Sequence, residues 1–148
     1  GDDGDLEKGV PWPSPRFTDN SNGTVTDNLT GLIWLKEAAS LQNMFSTSLT
    51  HCNSLTNGMH GLTDGSVTGD WRLPNVRELQ SLVDYGRASF ALPSGHSFTN
   101  VQSSAHYWSS TTYESDTGKA WYVNMVDGSI GSEGKYMKLH AWPVRGGQ

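Results

Sequence analysis

Between Tyr107 and Gly147 the chain sets bulky rings and turn residues at regular places and fills the gaps with loosely assorted polar residues. The fixed strings are Tyr107-Trp108-Ser109-Ser110-Thr111-Thr112, Ala120-Trp121-Tyr122-Val123-Asn124-Met125 and Trp142-Pro143-Val144-Arg145-Gly146-Gly147. In the second of these, Trp121, Val123 and Met125 alternate with Tyr122 and Asn124. A strand here is expected to bury the first set and present the second. Asp127-Gly128 follows, a strong hairpin signal because both residue types tolerate positive φ. Trp108, Trp121 and Trp142 are stiff rings that can fill a core while their indole N–H groups find partners. Among the residues between them, tyrosine offers rigid contact area and serine, glycine and asparagine offer hydrogen bonds and adaptability. The pattern is that of a binding surface on a rigid frame.

Size and charge narrow the function classes. A chain of 148 residues fits one domain that buries about two thirds of its unfolded surface without metals or disulfides. The net charge of -5, with only 10 Lys+Arg and no basic run, argues against a nucleic-acid partner, because phosphate binding needs clustered cations. Cys52 is the only cysteine, so no intrachain disulfide is expected and redox compartment is not readable. No apolar stretch approaches the ~20 residues of a membrane span, so no membrane insertion is expected. The opening Gly1-Asp2-Asp3-Gly4-Asp5 is not a signal peptide. Six tryptophans and seventeen glycines with a mean hydropathy of -0.53 suggest a loop-rich protein held by a few large rings.

Along the chain, residues 1–16 are acidic and then proline-rich, and read as an extended lead-in that Trp12 could pin to the domain at 17–148. Two β-prone runs flank the Asn22-Gly23 turn between Arg16 and Asp27, and Thr30 to Leu35 reads as a buried strand. Ala38 to Asn57 has a weak helical pattern with Leu41, Phe45, Leu49 and Cys52 near one face, the helix being expected in the second half. A second helix is better marked. Asn75 can cap it, Glu78 stands at the capping-box position, and Val76, Leu79, Leu82 and Val83 make one stripe up to Gly86. Residues 87–106 read as a long loop.

Catalytic and metal chemistry find little footing in these residues. His51 adjoins Cys52, but neighbours on a helix point different ways, and Cys52 reads as a buried structural thiol. His51, His60, His96, His106 and His140 lack metal-ligand spacing, so no metal and no cofactor are expected. Ser94-Gly95-His96-Ser97 lacks the flanking glycines of a nucleophile elbow. The Asp and Asn residues of 19–28 lack the ligand spacing of an EF-hand and are explained by turns, as are the sequons at Asn22 and Asn28.

Five strings, Phe17-Thr18-Asp19-Asn20 with Gly23-Thr24-Val25-Thr26-Asp27, Thr30-Gly31-Leu32-Ile33-Trp34, Trp71-Arg72-Leu73-Pro74-Asn75 with Glu78-Leu79, Tyr107 to Thr111, and Pro143 to Gly147, together resemble the Lcl C-terminal-domain family over Phe17 to Gly147. The resemblance implies an α+β domain of C-type lectin fold, two helices with a twisted antiparallel sheet whose last strands carry the ligand site. The stretch from Tyr107 to Gln148 further resembles the variable region of proteins mutated by diversity-generating retroelements, in which a fixed frame is interrupted by substitutable positions. Here those positions are Tyr113, Ser115, Asp116, Thr117, Gly118, Tyr122, Asp127, Ser129, Gly131, Ser132, Gly134, Tyr136, Lys138, Leu139 and His140. The resemblance implies that they cluster on one exposed face. The cysteine pair of formylglycine-generating relatives and the Glu-Pro-Asn or Gln-Pro-Asp tripeptides of calcium-dependent lectins are missing. The expectation is therefore a non-enzymatic domain on a virion or cell surface that recognises a macromolecular ligand, a protein before a glycan. A fixed-specificity glycan adhesin is the alternative, a structural or assembly module is a third reading, and oligomerisation stays open.

Overall fold

In the computed structural model, which describes residues 13, 15–84, 92, 96–101 and 106–146, the alternation of the last third becomes sheet. The described strands are β1 (Phe17–Asp19), β2 (Thr24–Asp27), β3 (Ile33–Leu35), β4 (Leu41–Asn43), β5 (His106–Thr112), β6 (Lys119–Asn124), β7 (Ile130–Gly134), β8 (Leu139–Ala141) and β9 (Val144–Arg145). Helix α1 (Phe45–Asn53) lies between β4 and β5, followed by α2 (Val76–Gln80). The α+β class is as expected, but the strands divide into two sheets, one in the order β9-β3-β2-β1 and one in the order β4-β8-β5-β6-β7. The pairings are antiparallel except that of β5 with β8.

The first sheet closes the chain upon itself. β9 from the C-terminal Trp-Pro-Val-Arg string pairs with β3, setting Val144 opposite Trp34 and Arg145 opposite Ile33. The β1–β2 turn explains the local density of Asp and Asn: Asp19 Oδ1 accepts the Ser21 N–H and Asn22 Oδ1 accepts the Thr24 N–H. Gly23 is required twice over. Its φ is +86°, and a Cβ would stand 2.6 Å from the Gly61 carbonyl oxygen. Arg16, placed by its sequence in the lead-in, is buried and pairs through two hydrogen bonds of 2.8 Å with Asp27. Trp12 and most of the long loop at 87–106, including Ser94 and Gly95, lie outside the described residues.

α1 lies close to the expected second half of its pattern, beginning at Phe45 and turning Phe45, Ser48 and Cys52 inward, while Leu41 belongs to β4 and not to the helix; α2 is shorter than its pattern suggests. α2 has the full capping box, with Asn75 Oδ1 accepting from Glu78 N–H and Glu78 Oε1 accepting from Asn75 N–H. It ends at Gln80, and Leu82 and Val83 are buried from the turn that follows.

The five-stranded sheet is packed on both sides. On its inner face Tyr107, Val123 and Met125 join Trp34, Trp142, Leu79, Leu82 and Phe98 in the main core. On its outer face Trp108, Ala120, Leu139 and Ala141 meet Phe45 and Cys52 of α1. A third cluster, Leu35, Leu55, Leu62 and Trp71, fills the space beneath the segment at 54–70. The Trp108 and Trp142 indoles donate to the Asn43 and Leu35 carbonyls, each at 3.0 Å. Trp121 departs from expectation: it is only half-buried and stands edge-on to Tyr113, with ring centroids 5.0 Å apart.

Candidate functional site

Strand alternation sorts the C-terminal residues by face. Trp108 is registered opposite Tyr122, Tyr122 opposite Gly131, and His106 opposite Asn124, so these share the outer face. Helix α1 packs on that face over β4, β8 and β5. Beyond its cover lies an open strip of β5, β6 and β7. At the centre of the strip the rings of His106 and Tyr122 stack, 4.1 Å between centroids and 8° between planes. The Tyr122 hydroxyl end lies across Gly131, where a Cβ would stand 2.7 Å from the hydroxyl oxygen. Gly131 therefore makes the room that the tyrosine ring occupies. Tyr122 is half-buried rather than fully presented, because one ring face is given to His106.

Loops close the strip at its ends, roughly 17 Å apart at the usual rise of an extended strand. At one end, Ser115, Asp116, Thr117 and Gly118 form the exposed β5–β6 turn, and Asp116 Oδ1 accepts the Gly118 N–H at 3.0 Å. Tyr113 closes this turn through its N–H to the Lys119 carbonyl. The β7–β8 loop meets it there, since Lys135 N–H donates to the Gly118 carbonyl. This loop carries Tyr136, 75 % exposed, and the exposed Lys138. At the other end the β6–β7 connection holds Asp127 and Ser129, both exposed. It is longer than a two-residue hairpin: Gly128 N–H bonds to the Asn124 carbonyl, and Gly128 alone of the pair has positive φ. The extra length lets Met125 turn into the core. Two hydrogen bonds from Ser129 hold the Asp127 carboxyl below its ordinary pKa.

Not every expected position reaches this surface. Leu139 is 9 % exposed and packs with Trp108, Phe45 and Ala141, because β8 lies between β4 and β5 under α1. Gly134 is also buried, beneath the Tyr136 ring. His140 alternates to the inner face and tilts against Tyr107 at 5.5 Å. Its Nδ1 is buried without a hydrogen-bond partner among the described residues, and burial lowers its pKa. Ser132 is half-buried on β7, opposite Trp121 and away from Tyr122. The positions thus form a strip with a tip at each end, together with a few members committed to packing. His106, Asn124 and Glu133 also belong to the outer face; strand alternation had placed Asn124 there, but His106 and Glu133 were not expected, although His106 stands two residues before Trp108.

Charge on the strip is mixed. Glu114, Asp116, Asp127 and Glu133 stand against Lys119, Lys135 and Lys138. Lys135 is engaged: its Nζ lies 4.8 Å from the Phe45 ring centroid and donates to Thr112 Oγ1 at 3.2 Å. Cys52 is fully buried, and burial pushes its thiol far above the ordinary range, which makes it a poor nucleophile. Among the described residues no group of three or more His, Cys, Asp or Glu side chains is placed to hold a metal ion. Nor is any described helix long and apolar enough to cross a membrane.

Two mostly antiparallel sheets with two short helices define the class as an α+β domain, and its outer face bears a polar and aromatic strip between loops. The model of the Lcl C-terminal domain matches residues 23–145, and the chain belongs to that family, an assignment that fits a ligand-binding or adhesin-like domain. No curated protein matched the chain.

Proposed function

We propose that the outer strip of β5, β6 and β7, with the loops at its two ends, is the ligand surface of a receptor-recognition domain of C-type lectin fold that acts by binding and not by catalysis. It is carried on a virion or cell surface, and its substitutable positions are diversified by a retroelement. One observation carries the reading: of the frame, Tyr107, Trp108, Ala120, Val123, Met125 and Trp142 are fully buried and Trp121 is half-buried, while most of the positions between them are exposed or half-exposed. Such a division lets the ligand surface change while the core stays constant. Tyr113, Tyr122 and Tyr136 serve as aromatic anchors for a macromolecular ligand, a protein by preference. The half-exposed His106–Tyr122 stack beside Asn124 favours a second reading, a fixed-specificity adhesin in which a sugar ring packs on the stack and the amide bonds its hydroxyls.

Sequencing the DNA that flanks the gene separates the two. A reverse transcriptase gene and a near-identical template repeat, differing at adenines in the codons for Tyr122, Ser129 and Tyr136, is the expected result. Absence of any such repeat, together with binding of one sugar class on a glycan array that is lost in Tyr122→Ala, would establish the adhesin instead.

A further inference from the structure

Both glycines of strand β7 lie under a tyrosine ring. Neither Gly131 nor Gly134 has positive φ, so the backbone of β7 does not itself call for glycine at either place. Glycine inside a strand ordinarily weakens it, because it loses more freedom on folding and has no side chain to pack. What the missing side chains leave is space, and a ring fills it each time. Tyr122 stands directly across from Gly131. Its hydroxyl oxygen, Cζ and Cε2 lie 2.7, 2.8 and 3.2 Å from where a Gly131 Cβ would be. Three residues on, the Tyr136 ring occupies the Cβ site of Gly134 in the same way. Cross-strand pairing of an aromatic ring with an edge-strand glycine lets the ring cover the backbone that glycine leaves bare.

Granted that the strip is the ligand surface, we propose that Gly131 is a positioning residue within it: by withholding a Cβ it lets the Tyr122 ring lie over β7 and against His106, so that positions 122 and 131 act as one unit and the residue at 131 decides where the central aromatic anchor stands. The contacts a Cβ would make are shorter than the ordinary separation of non-bonded atoms, and the ring would have to retreat by roughly 1 Å. Retreat toward β5 is closed, because His106 is already stacked there at 4.1 Å and 8°. Beneath the ring, Trp108, registered opposite Tyr122, is fully buried and gives no room. Rotation to another χ1 well remains, and a swing of about 120° carries the ring off both Gly131 and His106.

The consequence for recognition is a dependence between positions that the sequence pattern treats as separate. A side chain at 131 changes the anchor at 122 without altering the tyrosine itself. Tyr122 owes its place to one neighbour from the strip, Gly131, and to one outside the expected set, His106. Ser132, next to Gly131, pairs with Trp121 and belongs to the other side of the strand, so it has no part in the unit.

Ring-current shifts in the full chain read the placement with no ligand present, which separates failure of this inference from failure of the binding reading. At one fixed pH, the carbon-bound ring protons of His106 are expected to resonate upfield of their positions in Tyr122→Ala, because they face the Tyr122 ring. Gly131→Ala is expected to remove more than half of that displacement, and Ser132→Ala to leave it whole. A double-mutant cycle gives a second readout. With alanine at 122, Gly131→Ala is expected to raise the midpoint of urea unfolding, as an added Cβ in a strand ordinarily does; with Tyr122 present that gain is expected to vanish or turn into a loss. The inference is overturned if the wild-type protons show no upfield displacement, if Gly131→Ala keeps it, if Ser132→Ala loses it as well, or if the gain at 131 is the same with tyrosine or alanine at 122.

Discussion

Leu139 and Tyr136 illustrate how differently two neighbouring residues of the same C-terminal stretch are used. The first is 9 % exposed against Trp108 and Phe45, and the second is 75 % exposed on a loop. Leu139→Ala is expected to destabilise the domain by about 2–5 kcal/mol through the cavity it leaves. Tyr136→Ala is expected to change stability by no more than about 0.5 kcal/mol. Urea unfolding of both variants measures the contrast, and equal losses would refute the placement of β8 under α1. The turn residues and the rings that fill the core were legible in sequence, because glycine, aspartate and tryptophan have strong local or volumetric reasons for their positions. The burial of Leu139 was not, since it follows from which strand lies beside which, and β8 is too short to announce its neighbours. Tyr122 was read as presented and proves half-committed to His106, a pairing across strands that no local pattern encodes.

At the scale of elements, α2 was the most legible segment, its capping box being written in Asn75 and Glu78. Asn75→Ala is expected to lower stability by about 1 kcal/mol, measured as a shift in the denaturation midpoint at constant m-value. Arg72 strengthens the same end, its guanidinium making two bonds of 2.6 Å to the Glu78 carboxylate. α1 was less legible because its pattern is diluted by Ser46, Thr47, Ser48 and Thr50, and because Leu41 fits a helical stripe as well as a strand. Edge strand β7 carries its own protection. Glu133 Oε1 accepts the Gly134 N–H, and the Gly134 carbonyl accepts the Met137 N–H, which shortens the stretch of backbone open to pairing with another chain.

For the molecule as a whole, the pairing of β9 with β3 closes a two-sheet frame. Stability is expected to decline in mild acid. Burial lowers the pKa of both His51 and His140 in the folded chain, with His60 adding to the effect at His51. Their contribution is therefore complete above the unfolded value of about 6.5 and is lost as pH falls through the lower folded values. The midpoint of urea unfolding should fall between about pH 7 and about pH 5, and His140→Gln should flatten that dependence. The α+β class was legible, and so was the burial of Trp108, Val123, Met125 and Trp142, because rings and turns recur with the period of strands. The second sheet was not, since β3 and β9 are distant in sequence and only their hydrogen bonds join them. The most direct test of a frame that tolerates its passengers is the thermal melt of one variant with Ser115, Thr117, Ser129, Tyr136 and Lys138 all replaced by unrelated polar residues. A cooperative transition within about 5 °C of the parent is expected; loss of cooperativity, or a fall beyond about 10 °C, would mean that these positions hold the fold together and are not a substitutable ligand surface.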